Sequence, residues 1–290
     1  MSSKEARILV VMPAHNEATH IRSCLDSFVA QTRPPDLLVV VDDHSTDDTA
    51  GLVRPYTQKY PWIQLRQRTS APSRIPGAKV VEAFLEGLPQ GWEHFDYLGK
   101  FDADLVLPRD YFEKILACFA SNPKLGMCSG LLYVENKGQW VYESIADKSQ
   151  VRGPVKCYSR DCYRAMGGLR PFIGWDVGDV MLARFHGFET TTLADLQVKH
   201  LRPTGSGYSR RNGRLQGRAL YNLRYGWLLG GVAALKMALT RGTPLLPWHA
   251  LRGYAGAFLN RKERMLSPEE GRFVRKWRWK GIFSRLFKGL

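Results

Sequence analysis

The chain has 290 residues, of which 44% are hydrophobic; this is enough for one large domain with an extension and excludes a disordered chain. Its formal net charge of +15 is confined to residues 202–290, where 19 Lys and Arg face 3 Asp and Glu, whereas residues 1–201 carry 23 against 24. The five cysteines are scattered and lack paired zinc spacing, which argues against a disulfide framework and a zinc site.

The first half of the chain alternates strand patterns with helical patterns. Strands are predicted at residues 8–12, 37–41, 63–65, 97–101 and 127–134, with helices at residues 21–29, 47–60, 77–88 and 108–122 between them. Runs such as residues 8–12 are continuously apolar, as expected for strands buried on both faces of a parallel sheet. This alternation predicts an α/β fold.

The second half begins with residues 135–152, which are polar and without a clear period, so we expect a loop-rich segment that shapes a binding cleft. The patterns then predict a strand at residues 153–158 and helices at residues 161–166 and 177–186. An Arg-, Gly- and Ser-rich stretch at residues 202–213 marks a change in composition. We therefore predict one domain at residues 1–201 and a basic amphipathic helical extension at residues 202–290.

The extension combines cations with apolar residues in three predicted helices, at residues 220–239, 245–259 and 272–290. The apolar part of the first helix is residues 225–235, shorter than the roughly 20 residues that span a bilayer. We therefore expect the extension to lie on a membrane.

The last predicted helix, residues 272–290, separates its aromatic and cationic residues onto two faces, as interfacial helices on anionic membranes do. The alternative is a basic helix docked on its own domain. Residues 1–7 lack the apolar core of a signal peptide. These features predict a cytoplasmic protein, peripheral on the inner face of the cell membrane.

Two carboxylates, Asp102 and Asp104, follow the predicted strand at residues 97–101. Ligands of open α/β sheets bind outside the carboxyl ends of the strands, so these acids are expected to face the ligand crevice. Paired carboxylates form a hard oxygen site for Mg²⁺ or Mn²⁺, commonly together with a diphosphate. A strand exit with solvated acids is the alternative.

Four motifs together resemble glycosyltransferase family 2 with the GT-A fold: VVMPAHNE at residues 10–17, VDDHSTD at 41–47, DAD at 102–104 and GWD at 174–176. The resemblance covers about residues 7–201 and implies a Rossmann-like, mostly parallel central sheet with helices on both faces. It implies an inverting hexosyl- or N-acetylhexosaminyltransferase of the non-processive bacterial type. Such an enzyme moves one sugar from a UDP- or GDP-linked donor to a glycan or lipid-linked acceptor.

The nucleotide site that the resemblance implies consists of Pro13, Ala14, His15, Glu17, Asp43, Arg74 and Asp102. Asp43 is expected to accept a hydrogen bond from the base, and Arg74 to approach the base and diphosphate, with Lys79 as its weaker rival. Glu17 has an alternative role as a helix-start acid and Asp43 as a turn acid.

The metal site that the resemblance implies consists of Asp104, in direct coordination, with Asp102 in the ribose and metal shell. His200 is a further candidate ligand, and an ordinary buried or exposed histidine is the alternative for it. The expected cofactor is Mn²⁺ or Mg²⁺, which would neutralise the departing nucleoside diphosphate.

The general base that the resemblance implies is Asp176. Members of the family often carry Glu-Asp about eleven residues before a Gly that ends a helix; Asp176 lies eleven before Gly187, with Trp175 in place of the Glu. Asp176 would take the proton of the acceptor hydroxyl as that oxygen attacks opposite the diphosphate. Asp179 is its rival, and a helix-start acid is the alternative for both.

The sequence leaves two other functions as alternatives. A sugar nucleotidyltransferase would carry a Gly-rich, Arg-containing loop after the first strand, where this chain has PAHNE at residues 13–17. A basic nucleic-acid-binding protein would spread its cations over the body, yet residues 1–201 are nearly neutral. We therefore expect no nucleic-acid partner.

Overall fold

The computed structural model describes residues 5–68, 77–204 and 210–287. The strands are β1 (Ile8–Ala14), β2 (Leu37–Asp42), β3 (Ile63–Gln67), β4 (Tyr97–Phe101), β5 (Leu105–Val106), β6 (Leu125–Asn136), β7 (Gln139–Tyr142), β8 (Val155–Ser159) and β9 (Glu189–His200). The helices are α1 (Ile21–Val29), α2 (Thr49–Lys59), α3 (Ala78–Gly87), α4 (Tyr111–Ser121), α5 (Arg160–Ala165), α6 (Trp175–Phe185), α7 (Arg210–Asn222), α8 (Gly226–Arg241), α9 (Leu246–Leu259) and α10 (Pro268–Phe287).

The strands among the described residues form one sheet in the order β3-β2-β1-β4-β8-β6-β9-β5, with β7 paired to β6. Parallel pairing joins β3, β2, β1 and β4, as well as β6 and β9, whereas β8 runs antiparallel to both of its neighbours. The α/β class is confirmed, but the sheet is mixed rather than mostly parallel. The parallel half brings the carboxyl ends of β1, β2 and β4 to one edge.

The core of the sheet is apolar and aromatic. All seven residues of β1 are buried, which explains its continuous apolar pattern. Phe28 of α1, Phe101 of β4 and Phe112 of α4 pack with each pair of ring centroids 5.6 Å apart. These aromatic contacts fix α1 and α4 against the strands whose ends carry the predicted acids.

Two predicted boundaries differ from the structure. The segment predicted as loop-rich contains β7, which pairs with β6 through a two-residue turn, Lys137-Gly138. Both turn residues have positive φ, 51° and 80°, as a type I′ hairpin requires. The prediction failed because the turn lacks the usual Asn-Gly or Asp-Gly, and because β7 is a four-residue strand, which gives little periodic signal.

The Arg-, Gly- and Ser-rich stretch at residues 202–213 contains the first turn of α7, and the helix predicted at residues 220–239 is divided between the end of α7 and α8. Glycine disfavours helices in isolation, which concealed α7. Glycines of both α7 and α9 allow the two helices to pack closely: a Cβ on Gly217 of α7 would lie 1.8 Å from the Ala250 carbonyl oxygen, and one on Gly253 of α9 would lie 2.0 Å from the Arg214 carbonyl oxygen.

Contacts between Cα atoms divide the chain into two compact units. The described residues of the first unit are 5–68, 80–169 and 186–204, and those of the second are 77–79, 170–185 and 210–287. Helix α6 thus belongs with the C-terminal helices, where Phe185 packs against Phe273 with centroids 5.6 Å apart. The domain boundary at residue 201 stays a prediction.

None of the helices in the described parts of the chain is both long enough and apolar enough to cross a bilayer.

The start of α10 joins two segments of the second unit. Ser267 and Glu270 form a capping box, with the Ser267 N–H donating to Glu270 Oε2 at 2.7 Å and the Glu270 N–H to Ser267 Oγ at 3.2 Å. The Arg170 guanidinium donates to both carboxylate oxygens of Glu270, at 2.9 and 2.8 Å. Burial raises the pKa of Glu270, but the Arg170 and Ser267 hydrogen bonds lower it by more, so it lies below its ordinary value.

We expect Glu270→Gln to lower the free energy of unfolding at pH 7 by about 2 kcal/mol, because a charged hydrogen-bond partner of Arg170 is lost. A carboxylate with a lowered pKa stabilises the fold above its unfolded-state pKa, about 4.3, and this contribution is lost as the pH falls. Urea unfolding from pH 7 to 3 should therefore show the difference from wild type shrinking below about pH 4. The exposed neighbour Glu269→Gln is the control; equal effects of both variants would contradict the role of Glu270.

Candidate functional site

The loops that follow β1 and β2 are bonded to each other. The Asp43 N–H donates to the Ala14 carbonyl at 2.8 Å, and His15 Nδ1 lies 2.7 Å from the Asp43 carbonyl oxygen. The Glu17 N–H donates to Thr49 Oγ1 at 2.8 Å. These hydrogen bonds hold the predicted nucleotide-site residues of both loops next to each other at the end of β1.

Two buried carboxylates of the first unit share one cation. Arg202 Nη2 donates to Glu17 Oε1, and its Nε lies 3.4 Å from Asp104 Oδ2. Among the described residues, Glu17 Oε2 and Asp104 Oδ1 are buried without a hydrogen-bond partner. Burial and the nearby charge of Asp104 raise the pKa of Glu17, and burial and the charge of Asp102 raise the pKa of Asp104. The pair therefore favours additional positive charge.

Asp102 differs from Asp104 in its exposure and its partner. Its side chain is 31% exposed and forms an ion pair with the Nζ of Lys100, which is buried in β4. Lys100 Nζ also donates to the Gly153 carbonyl at 3.2 Å. The first acid of the motif is thus held by a buried lysine, whereas the second is shared with Arg202.

His200, at the end of β9, faces Asp104 on one side and Glu143 on the other. Its Nε2 lies 3.6 Å from Asp104 Oδ1, and its Nδ1 lies 3.2 Å from Glu143 Oε2. Glu143 also accepts from Arg152 Nη1 at 2.5 Å and from the Thr204 N–H at 2.7 Å. Burial raises the pKa of Glu143, but the His200 hydrogen bond and the Arg152 charge outweigh it and lower that pKa to about 2. Glu143 is therefore an ionised carboxylate that orients His200.

Asp43, at the end of β2, is bound by an arginine that sequence reasoning missed. Arg68 Nη1 donates to Asp43 Oδ1 at 3.1 Å, and the same guanidinium donates to Glu82 at 3.1 Å and Glu86 at 2.8 Å. The Arg68 side chain is only 5% exposed. One buried cation thus fixes the carboxylate predicted to contact the base.

The predicted general base belongs to the second unit. Asp176 lies in the first turn of α6, and its rival Asp179 is buried one turn later. Gly174, just before this helix, has φ of 88°, and a Cβ there would lie 3.1 Å from the Ala219 Cβ of α7. Arg74, predicted to approach the base and diphosphate, lies outside the described residues.

The described residues that could hold a divalent ion are Asp104 and His200. Within the described ranges, no group of three or more His, Cys, Asp and Glu side chains is placed to hold a metal. Asp104 Oδ1, which accepts no hydrogen bond, and the oriented His200 ring fit two protein ligands of an ion that takes its other ligands from a diphosphate or water.

Arg68 and Glu143 were both missed by sequence reasoning. Arg68 follows a short strand and Glu143 follows β7, which the sequence patterns did not reveal. Their burial in ion pairs with distant partners has no local periodic signal. A weak indication was available for Glu143, since it lies in the polar segment expected to shape a cleft.

The family model for Glycosyl transferase family 2 matches residues 9–166. Among solved structures, the chain is similar to a mannosyltransferase from Pyrobaculum calidifontis in complex with GDP-Man and Mn²⁺, with a TM-score of 0.58 and 18% identity over 97% of this chain and 81% of that one. It is also similar to residues 1–349 of S. aureus TarS in complex with UDP-GlcNAc, with a TM-score of 0.57 and 17% identity over 81% and 73% of the two chains. These likenesses confirm the GT-A type of fold.

Relatives in sequence match shorter segments. A poly(ribitol-phosphate) beta-glucosyltransferase of Bacillus spizizenii is 38% identical over 27% of this chain, and the succinoglycan biosynthesis protein ExoA of Rhizobium meliloti is 33% identical over 37%. The chain spans only 12% and 31% of the lengths of these two proteins.

We expect Arg68→Met to lower the free energy of unfolding by about 3 kcal/mol, because it leaves the buried Asp43 carboxylate without its cation. Urea unfolding at pH 7 measures this difference. Arg54→Met, on the exposed side of α2, is the matched control and should change stability by less than about 0.5 kcal/mol. Equal effects of the two substitutions would show that Arg68 has no special role.

Proposed function

Because the chain belongs to glycosyltransferase family 2, we propose that it moves one sugar from a nucleotide-diphosphate sugar to a glycan or lipid-linked acceptor, with inversion at the anomeric carbon. The observation that carries this proposal is the pair of buried carboxylates, Glu17 and Asp104, with unpartnered oxygens at the strand ends. Such a pair is costly to bury unless a cation-bearing ligand offsets its charge.

The proposed donor is a UDP- or GDP-linked hexose or N-acetylhexosamine. The similar mannosyltransferase is in complex with GDP-Man and TarS with UDP-GlcNAc, which supports both bases. Asp43 would accept a hydrogen bond from a ring N–H of the base, beside the backbone of Pro13, Ala14 and His15. Arg74 would approach the diphosphate.

We assign the divalent ion, Mn²⁺ or Mg²⁺, to Asp104 and His200, with Asp102 in the ribose and metal shell. Glu143 holds Nδ1 of His200, so the Nε2 lone pair is available, an arrangement common behind metal-binding histidines. When bound, the ion would supply positive charge for the departing diphosphate. Arg202, which already lies between two acids, would donate to phosphate oxygens.

Asp176 is the proposed general base. Its carboxylate would accept the proton of the acceptor hydroxyl as that oxygen forms the new bond to the anomeric carbon. The nucleoside diphosphate leaves from the opposite face of the sugar, so one displacement inverts the configuration.

The acceptor is proposed to be reached at the cytoplasmic face of a membrane, where the protein would be peripheral. The support is the cationic C-terminal region, whose 19 Lys and Arg at residues 202–290 match an anionic lipid surface. The last helix is proposed to contact the membrane. In this helix Phe283 is exposed and stacks on Trp279, with ring centroids 5.7 Å apart.

In a panel of UDP- and GDP-sugars with Mn²⁺, we expect the wild type to release nucleoside diphosphate from one donor class. Asp104→Asn should reduce this release and Mn²⁺-dependent nucleotide binding by at least about 100-fold, because a proposed ligand loses its charge. Asp161→Asn removes an exposed carboxylate of the same unit and is the control. Release by Asp104→Asn at the wild-type rate would refute the metal site, and no release from any donor would refute the proposed function.

Asp176→Asn should bind the donor with unchanged affinity while transfer to an acceptor falls by about 10²- to 10⁴-fold, as expected for loss of a general base. Asp179→Asn is the comparison, and both variants are assayed for nucleotide binding by calorimetry and for transfer by product formation. If Asp176→Asn transfers normally and Asp179→Asn does not, the base is Asp179.

A further inference from the structure

Helices α8 and α9 are apolar on two sides, and only one side of each is covered. The inward sides are buried at Leu229 and Ala238 of α8 and at Leu246 and Ala250 of α9. A helix with apolar residues on two opposite sides is stabilised by burying both sides, because transfer of apolar surface out of water is favourable. The opposite sides of both helices are therefore unexplained by the packing of the second unit.

The uncovered residues form what we term the outer apolar face: Leu228, Val232, Leu235 and Leu239 of α8, and Leu245, Trp248, Leu251, Phe258 and Leu259 at α9. The α8 members follow the spacing of one helical stripe. Leu228 is 74% exposed, Leu239 78%, Leu259 77% and Trp248 56%. Trp227 joins the two helices, with its ring 5.5 Å from that of Phe258.

The charge around this face favours an anionic partner. Residues 210–262 contain ten Lys and Arg and no Asp or Glu. Lys236 of α8 and Arg252 of α9 are exposed on the two helices that carry the face. A second copy of the chain would bring like charges together, which costs free energy, whereas an anionic surface neutralises them.

A cavity between α7 and α9 carries the same sign of charge. It has a volume of about 220 Å³ and is lined in part by Arg214, Arg218 and Lys262. The Arg218 Nε is buried without a hydrogen-bond partner among the described residues. Cationic groups are thus also present on α7, the helix that packs against α9.

We propose that the outer apolar face of α8 and α9 inserts into the interfacial layer of an anionic lipid bilayer, with Lys236 and Arg252 at the head groups. Exposed apolar helices flanked by Lys, Arg and Trp are the type of surface that binds membranes in this way. The inference rests on the membrane association proposed above. It assigns an apolar membrane contact to α8 and α9, in addition to the contact proposed for the last helix.

The test is sedimentation of the full chain with vesicles of phosphatidylcholine, with and without 30 mol% phosphatidylserine. Wild type should bind the vesicles that contain phosphatidylserine at least about tenfold more tightly than those of phosphatidylcholine alone. The double variant Leu228→Gln/Leu239→Gln should lose at least about tenfold in partition coefficient, because two Leu side chains no longer enter the apolar layer. Its charge is unchanged, and both substituted side chains are exposed, so it should fold normally.

The matched control is Leu85→Gln/Ile145→Gln, which makes the same kind of change at exposed apolar residues of the first unit. It should bind vesicles as the wild type does. Equal binding by Leu228→Gln/Leu239→Gln and wild type overturns the inference. If Phe283→Gln, at an exposed residue of the last helix, is then released, membrane association stands and its contact is the last helix.

Failure of the wild type to bind either vesicle overturns the association as well as this inference, while the donor panel remains a separate test of transfer. Sedimentation velocity without lipid decides on a second copy. A wild-type dimer that Leu228→Gln/Leu239→Gln converts to a monomer, with no change in vesicle binding, assigns the face to self-association and overturns the lipid proposal.

Discussion

The buried carboxylates of Glu17 and Asp104 impose the constraint on which the candidate site depends. Each has an oxygen without a hydrogen-bond partner in the described part of the chain, and burial raises the pKa of both. One guanidinium, that of Arg202, contacts both acids. Because a single half-exposed cation incompletely offsets two buried acids, the site is best satisfied by a ligand that brings further positive charge.

The neighbouring groups are held by ion pairs and hydrogen bonds, which form a fixed frame around these two acids. Arg68 fixes Asp43, Lys100 fixes Asp102, and Glu143 fixes His200. Rigid surroundings keep the geometry of a site constant while its central charges change, which lowers the reorganisation that a reaction requires. Asp43, Asp102 and His200 have bonded partners, whereas Glu17 and Asp104 each keep an oxygen without a hydrogen bond. This contrast is the strongest structural sign of a functional site in the first unit.

Sequence patterns were sufficient for the strands of the parallel half and for the acids at their ends, because continuous apolar runs and strand-end carboxylates are local signals. They were insufficient for Arg68 and Glu143, whose partners are distant in sequence and are selected by tertiary packing. The same limit concealed α7, since its glycines disfavour a helix locally yet allow close approach to α9. The roles of Asp176 and Arg74 still depend on family position alone.

The C-terminal helices provide packing partners for α6, the helix that carries Asp176. Gly178 of this helix lies against Met265 and Leu223, and Arg184 lies over the Trp277 ring at 5.2 Å. A chain shortened to end at residue 201 would retain Asp176 but would lack the C-terminal residues that pack against α6. Truncation near the C-terminus would therefore remove packing partners of α6 and disturb the helix that carries Asp176.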